Sequence, residues 1–256
     1  MDIMYYLWRC GRTNFNCIDT SRITSMRFLF SDVNMYMWSP KEHDTFKDAV
    51  IKGLNIDISG WDVSNVTDFH DMFGCNAKSK INPDISNWNV SRATNFDSMF
   101  RNCNRFNCDL SQWNVSSVID FGGMFQGCSK FNSDLSNWDV SSGIKFLDMF
   151  EGCKRFNSDL SRWNVSNGEN MRFMFSGCES FNSDLSNWKF TNASLVVRMF
   201  QGCKSFNCDV SQWHFPNTTS LLALFAGCES LQSDVSGWDV SGKKDLKSLF
   251  EGCINF

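Results

Sequence analysis

An α/β solenoid is the fold class that the sequence predicts, with one short parallel strand and one short helix in each 25-residue coil. Three observations lead there. Tryptophan recurs at 61, 88, 113, 138, 163, 188, 213 and 238, a spacing of 27 and then 25 six times. A Met-Phe or Leu-Phe pair ends 12 residues after each of them, at 73, 100, 125, 150, 175, 200, 225 and 250. One cysteine per period follows, at 75, 103, 128, 153, 178, 203, 228 and 253. A period of this length belongs to a unit that cannot bury its own apolar face, so that units stack.

The unit reads F-N-x-D-L-S-x-W-x-V-S-x(5)-x-x-M-F-x-G-C-x-x, clearest over 131–154. Its opening, 131–136, is short and alternates apolar with polar residues, as a strand does. The W-D-V-S segment then turns the chain. Val66, Phe69, Met72 and Phe73 follow at i, i+3, i+6 and i+7, repeated by Val118, Phe121, Met124 and Phe125. That spacing predicts a short helix, with the glycine of Gly-Cys as its C-terminal stop. With parallel strands about 4.8 Å apart, eight coils make a rod about 40 Å long.

Residues 54–256 form the solenoid of about eight repeats, and 1–53 an N-terminal cap. The cap holds a degenerate half repeat, with Ile18-Asp19-Thr20-Ser21 in the place of W-x-V-S and Leu29-Phe30 at its end. An insertion over 31–53 follows. It carries Met35, Tyr36, Met37 and Trp38, then a predicted helix over 45–52 with Asp44 as N-cap and Gly53 beyond its end.

Met149-Phe150-Glu151-Gly152-Cys153, Phe156-Asn157-Ser158-Asp159-Leu160-Ser161 and Trp163-Asn164-Val165-Ser166 resemble the BspA-like leucine-rich-repeat family. This class of 25-residue repeats occurs in mycoplasma and other bacterial surface proteins, in protists and in large DNA viruses. The resemblance covers about four fifths of the chain. It implies a right-handed, leucine-rich-repeat-like solenoid that binds or adheres, and it carries no catalytic motif.

The repeated columns read first as structure. Trp113, Trp138, Trp163 and Trp188 stand for an aromatic core. Asp109, Asp134, Asp159 and Asp184 stand for a ladder of like charges that needs compensation. Calcium between coils is one solution, suited to hard oxygen ligands; hydrogen bonds from the backbone and from Ser hydroxyls at the turn before Trp are the other. The Gly-Gly-x-Gly-x-Asp calcium repeat is absent, which favours the second. A partial basic stripe (Arg105, Lys130, Lys154, Arg155, Lys204) would add screening. The Asn column, 55 to 207, reads as amides satisfying the backbone. One cysteine per coil does not supply the paired spacing of a zinc site, so free thiols and a reducing compartment are expected.

Function is narrowed more than fixed. Net charge is −4, from 24 basic and 28 acidic residues, which argues against binding nucleic acid through phosphate contacts. No apolar run reaches 18 residues, so no membrane insertion is expected. Residues 1–12 lack the pattern of a signal peptide, which favours a virion or host-cytoplasmic location over classical secretion. His43, His70 and His214 occupy unrelated positions, and no phosphate-binding loop, cofactor motif or metal cluster accompanies them. The chain therefore reads as a non-enzymatic structural or protein-interaction repeat protein without a cofactor, in concrete form a minor capsid or virion component of a large DNA virus. An adhesin-like or host-interaction module is the alternative. Its contacts with other chains are expected at Met35, Tyr36, Met37 and Trp38, and at Phe250, Ile254 and Phe256 in the last coil.

Overall fold

The computed structural model describes residues 9–31, 49, 52–75 and 79–255. From 54 onward the chain winds as eight stacked coils, numbered here 1 to 8: 54–80, 81–105, 106–130, 131–155, 156–180, 181–205, 206–230 and 231–255. Each ends one residue before the Phe, Leu or Ile that opens the next.

The predicted strand and helix are not there, and the α/β solenoid is corrected accordingly. Among the described residues only Arg9 and Ala49 have helical backbone. Sheet pairing is reduced to isolated parallel bridges such as Asn95–Asp120, Asp120–Lys145 and Lys145–Asn170. The coils are built instead from successive three-residue turns. In coil 4, Trp138 N–H donates to Leu135 O at 3.1 Å, Gly143 to Val140 at 2.8 Å, Met149 to Phe146 at 3.2 Å and Cys153 to Phe150 at 2.9 Å. Phe156, opening coil 5, donates to Cys153 at 3.0 Å.

A chain of i to i+3 turns explains the false helix signal, because it recurs every three to four residues, as a helix face does. A helix would need each N–H to reach four residues back inside the same coil. Here alternate N–H groups leave the coil: Phe121, Gly123, Phe125 and Gly127 donate to the carbonyls of Lys145, Leu147, Met149 and Glu151 at 2.7–2.9 Å. From coil 2 on, two left-handed residues hold that alternation, Asp148 at φ 57° and Gly152 at φ 72° in coil 4. A right-handed helix cannot run through them. Glycine suits the second position because its φ of 72° is one that L side chains rarely adopt, and coil 2 fills it with Asn102 at φ 62°. The first position is filled by Phe173 in coil 5 and Arg198 in coil 6, at φ 56° and 57°.

The missing strand has a different cause. Over F-N-x-D-L-S the backbone donors are taken by side chains, which compete with any ladder. Asn132 N–H donates to Asn107 Oδ1 at 2.7 Å and Leu135 N–H to Ser158 Oγ at 2.8 Å. The residue between Asn and Asp is thus a small acceptor for the preceding coil. It is Ser at 133, 158, 183 and 233. Cys108 and Cys208 hold the same place, their sulfurs accepting from Ile85 and Leu185 at 3.4 and 3.1 Å.

The core lies inside the coils as ladders of one residue type. Phe100, Phe125, Phe150 and Phe175 stack at 5.7, 5.6 and 5.5 Å between centroids. Trp138, Trp163 and Trp188 stack at 6.4 and 6.5 Å, with planes within 4°. Each of these indoles is buried, and its N–H donates one coil back, Trp138 to Leu110 O at 3.0 Å. The column thiols do likewise: Cys153 donates to Phe125 O at 3.0 Å. Ahead of coil 1 the half repeat joins the stack, with Phe15, Met26, Phe28 and Phe30 donating to Asp57, Asp68, His70 and Met72 at 2.7–3.0 Å.

These contacts set three expected outcomes in thermal or denaturant unfolding. Trp138→Ala removes a buried ring and one of the two hydrogen bonds that Leu110 O accepts, the other coming from Trp113 N–H at 3.1 Å, at a cost of about 3–5 kcal/mol. Ser158→Ala strips the acceptor from Leu135 N–H and costs about 1–2 kcal/mol. Cys208→Ser only restores the hydroxyl used in four other coils, so its midpoint stays within about 1 kcal/mol of wild type.

Candidate functional site

The residues singled out by the sequence divide three ways. Trp113, Trp138, Trp163 and Trp188 are 2–3% exposed, so no ligand reaches them. Asp109, Asp134, Asp159 and Asp184 lie outward, and the Oδ1 of each accepts the N–H of the Ser two residues on at 2.9 Å. Those bonds hold the carboxyls of Asp134, Asp159 and Asp184 below the usual range. Met35, Tyr36, Met37, Trp38 and Phe256, with most of the 45–52 helix, lie outside the described residues. Phe250 is half-buried and stacks on Phe225 at 5.8 Å, whereas Ile254 is 73% exposed.

The basic stripe does not act as one unit. Lys154 and Lys204 both face Glu179, at 2.7 and 3.8 Å. Arg105, Lys130 and Arg155 form no ion pair among the described residues, and none bridges to the Asp column. The twelve cysteines are free thiols, Cys10 and Cys17 exposed. Burial raises the column thiols, Cys103 to Cys253, and pushes Cys208 up to about 12.

One edge went unrecognised in the sequence. The left-handed turn of each coil carries two positions that follow no consensus, glycines at 122 and 123 in coil 3, and their side chains change character along the stack. Toward coil 1 the edge is acidic. Asp71 is buried, accepts from Ser31 Oγ at 2.9 Å and faces Arg101 at 3.4 Å. His70 Nδ1 meets Asp97 Oδ2 at 2.9 Å, and its ring lies edge-on to Phe28 at 4.9 Å. No hydroxyl or thiol among the described residues hydrogen-bonds that imidazole. Desolvation is the main cause raising Asp71 and Asp97. It also brings Asp148 to about 6, with Glu151 adding repulsion.

From coil 5 the same edge turns apolar and cationic. Phe173 is half-buried between Arg172 and Arg198, whose guanidinium carbons lie 5.6 and 5.8 Å from its ring centre. Val197 and Leu222 continue the line half-buried, and Leu195 stands 40% exposed beside it. The signal was present in the sequence as the unassigned x positions before Met-Phe. A column without a consensus is one the stack does not need.

Two outcomes follow. Lowered Asp values stabilise the fold above the unfolded carboxylate range near about 3.9 and lose that contribution as pH falls through the folded values. Raised Asp148 does the reverse, its contribution being full below about 3.9 and lost as pH rises through 6. Asp148→Asn therefore raises the unfolding midpoint at pH 7 and changes it little at pH 4, read by parallel melts. Thiol titration without reductant gives two fast-reacting groups in the native protein, Cys10 and Cys17, and all twelve in denaturant.

Among the described residues no helix is long and apolar enough to cross a membrane. Neither a curated protein nor a solved structure matches the chain. The family described as Mycoplasma protein of unknown function, DUF285, matches three overlapping stretches, 41–127, 102–203 and 195–256. These stretches run through all eight coils, and the chain belongs to the DUF285 family.

Proposed function

We propose that this chain is a non-enzymatic repeat protein of the BspA-like kind that works by binding other proteins in an assembly, a virion component being the form that the sequence favours. The observation that supports this is the unrepeated edge of coils 5 to 7. The outward Asn and Asp columns place an oxygen of each residue on a backbone N–H, of the next coil or of their own turn. Phe173, Val197 and Leu222 make no such repeated contact. They form an apolar line with flanking guanidinium groups, and aromatic and Arg side chains are the types that carry binding energy at protein interfaces.

A second apolar surface lies on coil 8. In coil 8 Val240, Leu246 and Ile254 are 42%, 40% and 73% exposed, whereas Val165, Met171 and Glu179 hold the matching positions of coil 5, the first two at 1% and 0%. Whatever lies against coil 8, a following segment or another chain, covers that apolar side at a gain of roughly 25 cal/mol per Å² before association costs. The second reading, a recognition module acting as a monomer, uses the edge alone.

The test is cross-linking mass spectrometry on the native assembly, followed by variants. Val197→Glu and Leu222→Glu are expected to remove the partner, with the melting midpoint within a few degrees of wild type. Ile254→Lys is expected to block incorporation under the assembly reading and to leave binding intact under the recognition reading. Partner cross-links confined to the Asn and Asp columns would overturn both.

A further inference from the structure

The turn edge carries a knob and a gap, two coils apart. The knob lies in coils 5 and 6, where Phe173 stands between the guanidinium groups of Arg172 and Arg198 at 5.6 and 5.8 Å. Both arginines are exposed, and neither side chain has an ion pair or hydrogen bond among the described residues. Phe173 holds a left-handed φ of 56°, an uncommon and costly setting for a bulky residue. Coils 2, 3 and 4 fill that position with Ser98, Gly123 and Asp148, so the stack does not require an aromatic ring there. The half repeat shows what such a pair takes. Arg27-Phe28 occupies the same two places, and Arg27 reaches the carboxylate of Asp68 in coil 1 at 3.2 Å. Leu195 stands in that place beside Arg172, which therefore lacks the acid.

The gap lies in coils 2 and 3. Gly122 and Gly123 interrupt the line of edge side chains, and both are buried beneath their neighbours. A Cβ added at Gly122 would stand 3.1 Å from Asp120 Oδ1 and 3.2 Å from Asp97 Oδ1, so two carboxylates border the gap. The charge around it is acidic in excess. Over 68–74, 95–101, 120–126 and 145–151 the turn edge holds six carboxylates and two fixed cations. Over 170–176, 195–201 and 220–226 it holds two arginines and no carboxylate.

On the reading that the edge of coils 5 to 7 is a protein-binding surface, we propose that its partner is a second copy of this chain. The two copies meet about a two-fold axis through coil 4, and the Arg172-Phe173-Arg198 knob of each enters the Gly122-Gly123 gap of the other. A two-fold contact brings one patch of both copies together in opposite order. An axis at coil 4 sets coil 5 against coil 3 and coil 6 against coil 2. Arg172 is thereby set against Asp120, Arg198 against Asp97, and Leu147 of coil 4 against its own counterpart. The register holds whatever the distance between coils, because both sides are the same stack. An unrelated acidic partner would satisfy the arginines and leave the carboxylates of coils 2 to 4 uncovered. A second copy answers both, and only coils 2 to 6 need to touch.

The test uses the full chain in sedimentation equilibrium, from about 1 to 200 µM at low and at high salt. A monomer–dimer equilibrium is expected, with the dimer weakening as salt rises. Arg172→Glu with Arg198→Glu should raise the dimer Kd roughly tenfold or more, and so should Asp97→Lys with Asp120→Lys. Mixing the two double variants should restore a dimer near the wild-type affinity, because each knob again meets a gap of opposite charge. Melting midpoints should stay near wild type, since the columns of 172 and 198 already hold Asp97 and Asp148, and those of 97 and 120 hold Lys247 and Lys145. A chain that stays monomeric, a dimer that neither pair weakens, or a mixture without recovery would overturn the proposal. A monomer that still loses its native partner on Val197→Glu would overturn the second copy alone and leave the edge reading in place. A dimer abolished by Ile254→Lys and by neither pair would overturn it in favour of coil 8.

Discussion

Everything in this molecule depends on the division of backbone N–H groups between two directions. Along each left-handed turn one N–H closes a three-residue turn within its coil, and the next reaches the carbonyl of the coil beyond. Met124 bonds Phe121 at 3.2 Å while Phe125 bonds Met149 at 2.9 Å. Buried donors left unpaired are costly, so this alternation must repeat in step, and it fixes the coil at a constant length. Once the length is fixed, identical side chains fall above one another, and the Phe, Trp and Cys ladders follow from register.

The ladders in turn explain the composition. Columns stacked at 5.5–6.5 Å suit flat rings, which meet face to face with little loss of area; hence 25 Phe and 10 Trp with only three Tyr. A tyrosine hydroxyl inside the stack would need an acceptor that the column lacks. Tryptophan has one, because its N–H reaches the carbonyl 28 residues earlier in coil after coil, as Trp163 does to Leu135 at 3.0 Å. The same rule admits cysteine, whose weak donor points to a carbonyl of the previous coil. Seven thiols of that column, from Cys103 to Cys253, make this contact, so one file of cysteines stacks as free thiols.

Legibility in the sequence followed from this physics. Columns could be read because register repeats them: the period, the buried Trp and Phe and the outward Asn and Asp are all visible as residue types. Conformation could not. Val118, Phe121, Met124 and Phe125 have helical spacing, yet a run of three-residue turns produces the same spacing, and only the φ values at 123 and 127 separate the two. Alternation over 131–136 also looks like a strand, yet Asn107 and Ser158 take the donors that a sheet would use. The His70–Asp97 contact was hidden for another reason. Two residues 27 apart become neighbours only once the coil length is known across the irregular junction after Cys75.

Stacking also decides where such a chain is free to change. Each coil touches its two neighbours and nothing else, so stability sums over adjacent contacts. A substitution in a ladder column disturbs two interfaces, while Leu147, Val197 and Leu222 on the turn edge make no side-chain hydrogen bond or ion pair among the described residues. The positions that vary along the stack run from Leu147 to Arg172 to Val197 on the edge and from Arg155 to Ser180 at the close. Two strips of the surface thus vary from coil to coil, and each changes character at the middle of the stack. The edge passes from acidic to apolar near coil 5, and the closing row from cationic to serine after coil 4. Two halves of one uniform scaffold thus present different chemistry without any change in backbone.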